Sequence, residues 1–161
     1  MRRTYQPAWS SVAILMICVL FSACRSAQTK KGNLDGLKVE TTLLGEFEDD
    51  YGARYTITKT LWHQQPGGIY HVDYWNSDDA FVILQNDETN GSNPGLWTRI
   101  DWTLLKDVEP YDWGFCLTVY DAPTSTEAAA AAAASRDTPM TGCNGFPFTR
   151  MKRLEPAQKR D

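Results

Sequence analysis

Short apolar–polar alternations, cut by turn residues every few positions, run from Leu43 to Tyr120 and limit what this chain can become. A period of two puts successive side chains on opposite faces of a strand. Such segments are marginal alone and must pair into a sheet. The first is Leu43-Leu44-Gly45-Glu46-Phe47, followed by the turn Asp49-Asp50-Tyr51-Gly52. Arg54 to Leu61 sets Tyr55 and Ile57 on one face and threonines on the other. Gln65-Pro66-Gly67-Gly68 is a turn signal. Ile69 to Trp75 alternates again and ends at Asn76-Ser77-Asp78-Asp79, which reads as a tight hairpin turn. Ala80 to Gln85 is more continuously apolar, as a central strand would be. Asn86 to Gly95 is a long polar loop. Trp97 to Leu105 and Trp113 to Tyr120 are two further strands, joined through Glu109-Pro110.

The period then changes. Thr124-Ser125-Thr126-Glu127 has the capping-box form, and the alanine run Ala128 to Ala134 follows it. This predicts one helix over about 125–135. Asn144 to Met151 reads as a last strand, with Pro147 marking an edge or a bulge. Six or seven strands and one helix predict a mainly β domain over residues 43–154, with a charged tail at 155–161. A small antiparallel barrel is the expected architecture, because closure removes exposed strand edges. A two-sheet sandwich is the alternative.

The N-terminus carries a different message. Arg2 and Arg3 precede Val12 to Phe21, ten residues without a charge. That run is too short for a bilayer span, which needs about 20 residues, but it suits the apolar region of a signal peptide. It ends in Phe21-Ser22-Ala23-Cys24. This resembles the lipobox of bacterial lipoproteins, with Phe21 where the family has a branched aliphatic residue. The resemblance implies cleavage after residue 23, lipidation of Cys24 and a membrane partner reached through the acyl chains. Arg25 is not the aspartate that marks inner-membrane retention in that family, so the expected address is the outer membrane of a bacterial envelope. Residues 24–42 are polar and contain glycine, and read as a flexible tether. Without the signal peptide the chain holds 14 basic and 20 acidic side chains. That balance argues against nucleic acid as a partner.

Processing would also sort the four cysteines. Cys18 leaves with the signal peptide and Cys24 is acylated. Cys116 and Cys143 stay in a compartment where disulfides persist, and are predicted to pair. Two cysteines and two separated histidines, His63 and His71, do not form a metal-ligand spacing, so no metal and no cofactor are expected.

Gly45-Glu46-Phe47 is similar to the G-x-W opening of the calycins, the lipocalin and avidin group. That likeness implies a barrel whose first aromatic is covered by an arginine from the last strand, here expected to be Arg150. Leu96 to Trp102, Trp113 to Ala122 and Gly142 to Met151 resemble segments of bacterial envelope lipoproteins, which implies an envelope protein but does not imply any particular activity.

Catalysis has few footholds, and no enzyme is expected. His71, Asp73 and Trp75 alternate on one strand, so His71 and Asp73 could share a face. A cross-strand polar contact is the commoner use of such a pair. Asn86 to Gly91 offers oxygen ligands, but the twelfth position from Asn86 is Trp97 and not glutamate, so the calcium-loop pattern fails. Arg99 and Asp101 share one face of a strand, with Ile100 and Trp102 on the other. The preferred reading is a surface ion pair of little energetic weight; the alternative is a polar lumen. Tyr70, Tyr74, Trp102 and Trp113 either line a cavity for a small apolar ligand or fill a small core. The functional expectation is therefore a lipid-anchored barrel that binds an apolar ligand or an envelope protein. A solid-core interaction lipoprotein is the alternative.

Overall fold

The computed structural model describes residues 41–155. Cys24, the signal segment and the tether up to residue 40 lie outside the described residues. Eight strands follow one another: β1 (Gly45–Asp49), β2 (Arg54–Ile57), β3 (Leu61–Gln65), β4 (Ile69–Asn76), β5 (Phe81–Asn86), β6 (Trp97–Leu104), β7 (Trp113–Ala122) and β8 (Thr149–Arg153). Each pairs antiparallel with the next, and β8 returns to β1, which closes the barrel. The barrel expectation holds and the sandwich does not.

The eighth strand comes from a hairpin inside the segment expected as one strand, Arg54 to Leu61. Thr58 makes that turn with neither glycine nor proline. Its hydroxyl accepts from the backbone N–H of Thr60 and Leu61, and its own N–H donates to the Leu61 carbonyl at 2.8 Å. Threonine can replace a backbone partner in this way. The chain then reverses and Trp62 enters the core.

Two apolar layers form, one on each side of the wall. The inner cluster draws on all eight strands and includes Phe47, Tyr55, Trp62, Trp113, Phe115 and Met151. The outer cluster joins Phe81, Ile83 and Ala122 to Ala128 of the one helix, α1 (Ser125–Ala130). Strand β5 feeds both layers, with Val82 and Leu84 in the inner cluster and Phe81 and Ile83 in the outer one. That explains its continuous apolar run.

Helix α1 starts as expected: Thr124 accepts from the Glu127 N–H at 3.1 Å and donates to the Glu127 carboxylate at 2.9 Å. It ends five residues short of the expected 135. The cause is tertiary. Arg99 Nη1 donates to the carbonyls of Ala129 and Ala131, at 2.8 and 2.9 Å. Ala131 is extended, with ψ 146°. Alanine's helix propensity is small per residue and yields to such contacts.

The expected last strand, Asn144 to Met151, is displaced toward the C-terminus. Asn144 and Gly145 take positive φ values of 51° and 90° and form a tight turn, with the Phe146 N–H on the Cys143 carbonyl at 2.8 Å. Phe146 is exposed and Phe148 is buried. Cys116 and Cys143 are disulfide-bonded, with Cα atoms 5.4 Å apart. The bond ties the segment 123–148, here called the strap, to the outside of β7.

Thr41–Leu43 form a 3-10 turn before β1, so ordered structure overlaps the last two tether residues. An arginine of β8 does cover Phe47, but it is Arg153, whose guanidinium carbon lies 4.6 Å from the ring centroid. Phe47 stands opposite Arg153, and Met151, of the same parity, points inward. Arg150 has the opposite parity; it binds Asp50 at 2.8 Å and lies over Tyr111. Arg153 also donates to the carbonyls of Leu44 and Thr42 at 2.9 and 2.7 Å, joining the 3-10 turn to the barrel. Gly45 makes room for it. Its φ is +136°, and a Cβ there would sit 2.4 Å from Arg153 Nη1. A Gly45→Ala protein is expected to lose about 1–3 kcal/mol, the usual cost of a strained backbone position. Urea denaturation measures it, and an unchanged midpoint would contradict the steric argument.

Candidate functional site

The four aromatics expected to line a cavity do not share one face. Tyr70, Trp102 and Trp113 belong to the interior cluster or pack against it, whereas Tyr74 packs against the outer one. A bulge in β4 separates them. Val72 pairs with Leu84 and Tyr74 with Ile83, which leaves Asp73 out of register. The extra residue flips the side-chain parity after Val72. Tyr74 then meets Phe81, ring centroids 6.0 Å apart, while Trp75 turns inward.

The interior is filled by interlocked rings. Phe47 meets Trp113 at 5.3 Å, Trp62 meets Phe115 at 5.3 Å, and Tyr55 meets Phe115 at 5.7 Å, all edge to face. This is the favoured aromatic geometry, and an eight-stranded barrel is just wide enough for side chains to fill it. The Tyr55 hydroxyl donates to Asp49 Oδ2 at 2.8 Å. Burial, followed by that carboxylate, pushes the phenol pKa up. Asp49 Oδ1 meanwhile accepts from the N–H groups of Tyr51 and Ala53, so one side chain shapes the β1–β2 turn and satisfies the core tyrosine. The indole N–H groups of Trp102 and Trp113 are buried without an acceptor among the described residues.

Arg99 and Asp101 do not lie on an open surface. Ile100 and Trp102 point inward as expected, but the strap covers the outer face, leaving Arg99 4% and Asp101 0% exposed. Arg99 grips Asp101 with two bonds, at 3.0 and 2.9 Å. Arg136 of the strap adds a third at 2.6 Å, and the Thr118 hydroxyl also donates to this carboxylate. Arg136 further donates to the carbonyls of Trp102, Asp79 and Ala80. The sequence pattern showed the pair; the strap that buries it lies some thirty residues away.

His71 and Asp73, expected on one face, part company at the bulge. His71 Nε2 lies 2.7 Å from Asp87 Oδ2, and Asp73 accepts from Ser125 at 2.7 Å. Asp87 belongs to the loop compared with a calcium site. Its carboxyl pKa is held down to about 2, first by the Thr89 hydroxyl and then by His71. A carboxylate depressed from 3.8 adds stability above pH 4 that is lost as pH falls toward 2. Asp87→Asn is expected to flatten acid unfolding within that window and to lower stability by a pH-independent amount above pH 5. A pH series of thermal melts checks it.

At the end of the barrel away from the start of β1, the β3–β4 turn and the β5–β6 loop enclose a groove of about 290 Å³. His63, Gln64, Gln65, Gly68, Thr89 and Asn90 line it. Asn90 holds the two walls together, accepting from the Ile69 N–H at 2.9 Å and donating to the Ile69 carbonyl at 2.7 Å. The sequence marked both walls separately, as the Gln65-Pro66-Gly67-Gly68 turn signal and the Asn86–Gly91 loop compared with a calcium site, but nothing in it brought together segments about twenty residues apart.

These features define a closed eight-stranded up-and-down barrel with a filled interior, an external strap and a polar end groove. Compared with known proteins, the chain matches no family model, no curated protein sequence and no solved structure.

Proposed function

We propose that this protein is a lipid-anchored domain of the bacterial cell envelope that works through its outer surface, without catalysis. The observation that carries this reading is the filled interior: Phe47, Tyr55, Trp62, Trp113 and Phe115 occupy the space a lumenal ligand would need. The Phe21-Ser22-Ala23-Cys24 motif supports the anchor, and Arg25 supports outer-membrane residence. The Gly45, Phe47 and Arg153 arrangement supports the likeness to calycins at the level of the barrel.

A second reading rests on the unpaired indole N–H groups of Trp102 and Trp113. A small apolar ligand with an acceptor oxygen could pair with one of them from inside. Buried donors left unpaired cost about 1–3 kcal/mol each, so such a ligand would be stabilised there. Native mass spectrometry of protein extracted from membranes separates the two readings. The surface reading expects only the acyl mass. A further stoichiometric mass, lost from Trp102→Phe and Trp113→Phe proteins, would establish the lumenal ligand instead. For the anchor, a Cys24→Ser protein is expected to leave the membrane fraction, and its retention there would refute lipidation.

A further inference from the structure

We propose that the end groove binds a single uncharged sugar unit. The proposal does not depend on the anchor and goes beyond the surface reading by naming a ligand class. The lining residues include no aspartate, glutamate, lysine or arginine. Asp87, two residues before Thr89, is engaged by His71 and Thr89. Apart from His63, no lining side chain can carry a charge, so an ion finds no permanent countercharge here. Amides and hydroxyls offer donor and acceptor side by side, which is what a pair of vicinal hydroxyl groups needs.

Two groups here are uncommitted, one in the lining and one beneath it. The Gln64 amide and the Tyr70 hydroxyl make no hydrogen bond to any described residue. The Gln64 side chain lies along Gly67, where a Cβ would fall 2.8 Å from its Cγ and Cδ. Tyr70 lies beneath Gly68 and is not part of the lining. Its ring packs on the interior cluster, and its oxygen would be 2.9 Å from a Cβ at Gly68. The same Cβ would fall 3.1 Å from Asn90 Nδ2. Gly68 thus lets the Tyr70 hydroxyl and the Asn90 amide pack close beneath the turn, at the base of the groove. The walls are held before any ligand arrives, by the Asn90–Ile69 pair and by the Gln64 N–H on the Gly68 carbonyl at 2.9 Å. Preorganisation of this kind lowers the ordering cost of binding. The volume falls at the lower limit of ordinary small-molecule pockets, about 300 Å³, so one ring fits and an extended chain does not.

The test is titration of the ¹⁵N-labelled full-length protein with methyl β-glucoside, N-acetylglucosamine and, as the charged control, glucuronate. Saturable shifts at residues 63–70 and 89–90 are expected with the neutral sugars, with dissociation constants on the order of millimolar, as befits a few hydrogen bonds. Gly68→Ala should weaken binding by about tenfold or more, and Gln64→Ala by several-fold while keeping the thermal melt of the parent protein. The Gln64 variant guards against a folding defect in the glycine variant. No saturable shift with any neutral sugar would overturn the proposal. So would tighter binding of glucuronate, shifts mapping elsewhere, or unchanged affinity in both folded variants.

Discussion

Replacing Asp101 with asparagine is expected to destabilise the barrel by about 3–5 kcal/mol, the typical cost of removing one partner from a buried ion pair. Asp101 is fully buried and accepts from Arg99, Arg136, Thr118 and the Ala134 N–H. An amide keeps the shape but not the charge, and its NH₂ group must face at least one donor. Arg99, only 4% exposed, would be left as a buried cation held by the carbonyls of Ala129 and Ala131 and by the Phe81 ring, 4.1 Å away. For a domain of about 100 residues this corresponds to a melting temperature lower by at least about 10 °C. Position matters as much as charge. The Arg136 side chain is 28% exposed, so water can take over part of its solvation, and Arg136→Met should cost less. Calorimetry on the three single variants should rank Asp101→Asn above Arg99→Met above Arg136→Met. A loss below about 1 kcal/mol for Asp101→Asn, the level of an exposed pair, would mean that the strap does not seal this face.

That network also shows where reading from sequence stops. Alternation along β6 placed Arg99 and Asp101 on the face opposite Ile100, which is correct and local. Whether the face is wet depends on residues 123–148, and no period-two pattern encodes that. The bulge at Asp73 hid in the same way. Residues 69–75 alternate well enough on paper, but one residue out of register sends Tyr74 and Trp75 to faces opposite those expected. The hairpin at Thr58 escaped because a threonine hydroxyl did the work usually assigned to glycine or asparagine. Elements with strong local chemistry were legible, the Asp49–Gly52 turn and the Thr124 cap, and the cysteine pair was legible by sorting the four cysteines through the signal peptide. The arginine over Phe47 was legible as a type of contact but not as a position, because the start of β8 was set by the turn at Asn144 and Gly145.

The second large effect is expected at Cys116 and Cys143. They close a loop with a sequence separation of 27, and losing such a link costs about 3–4 kcal/mol in the chain-entropy model. A Cys116→Ala, Cys143→Ala protein is the measurement, because alanine adds no polar atom at position 116, which is 1% exposed. Its loss should appear first in the strap. The bonds Ser135 N–H to Gly142 carbonyl and Gly142 N–H to Thr138 carbonyl, at 2.9 and 2.7 Å, lie between the helix and Cys143. Hydrogen exchange at these amides should therefore rise before exchange in β2 or β3. The bridge and the Asp101 cluster hold the same segment to the same wall, with Asp101 paired to Cys116 across β6 and β7. Once one is gone, part of what the other protects is already open. Combining Asp101→Asn with the alanine pair should then destabilise by less than the two losses added, a coupling of about 0.5–3 kcal/mol. Strict additivity would show that the two fastenings act on independent parts of the fold.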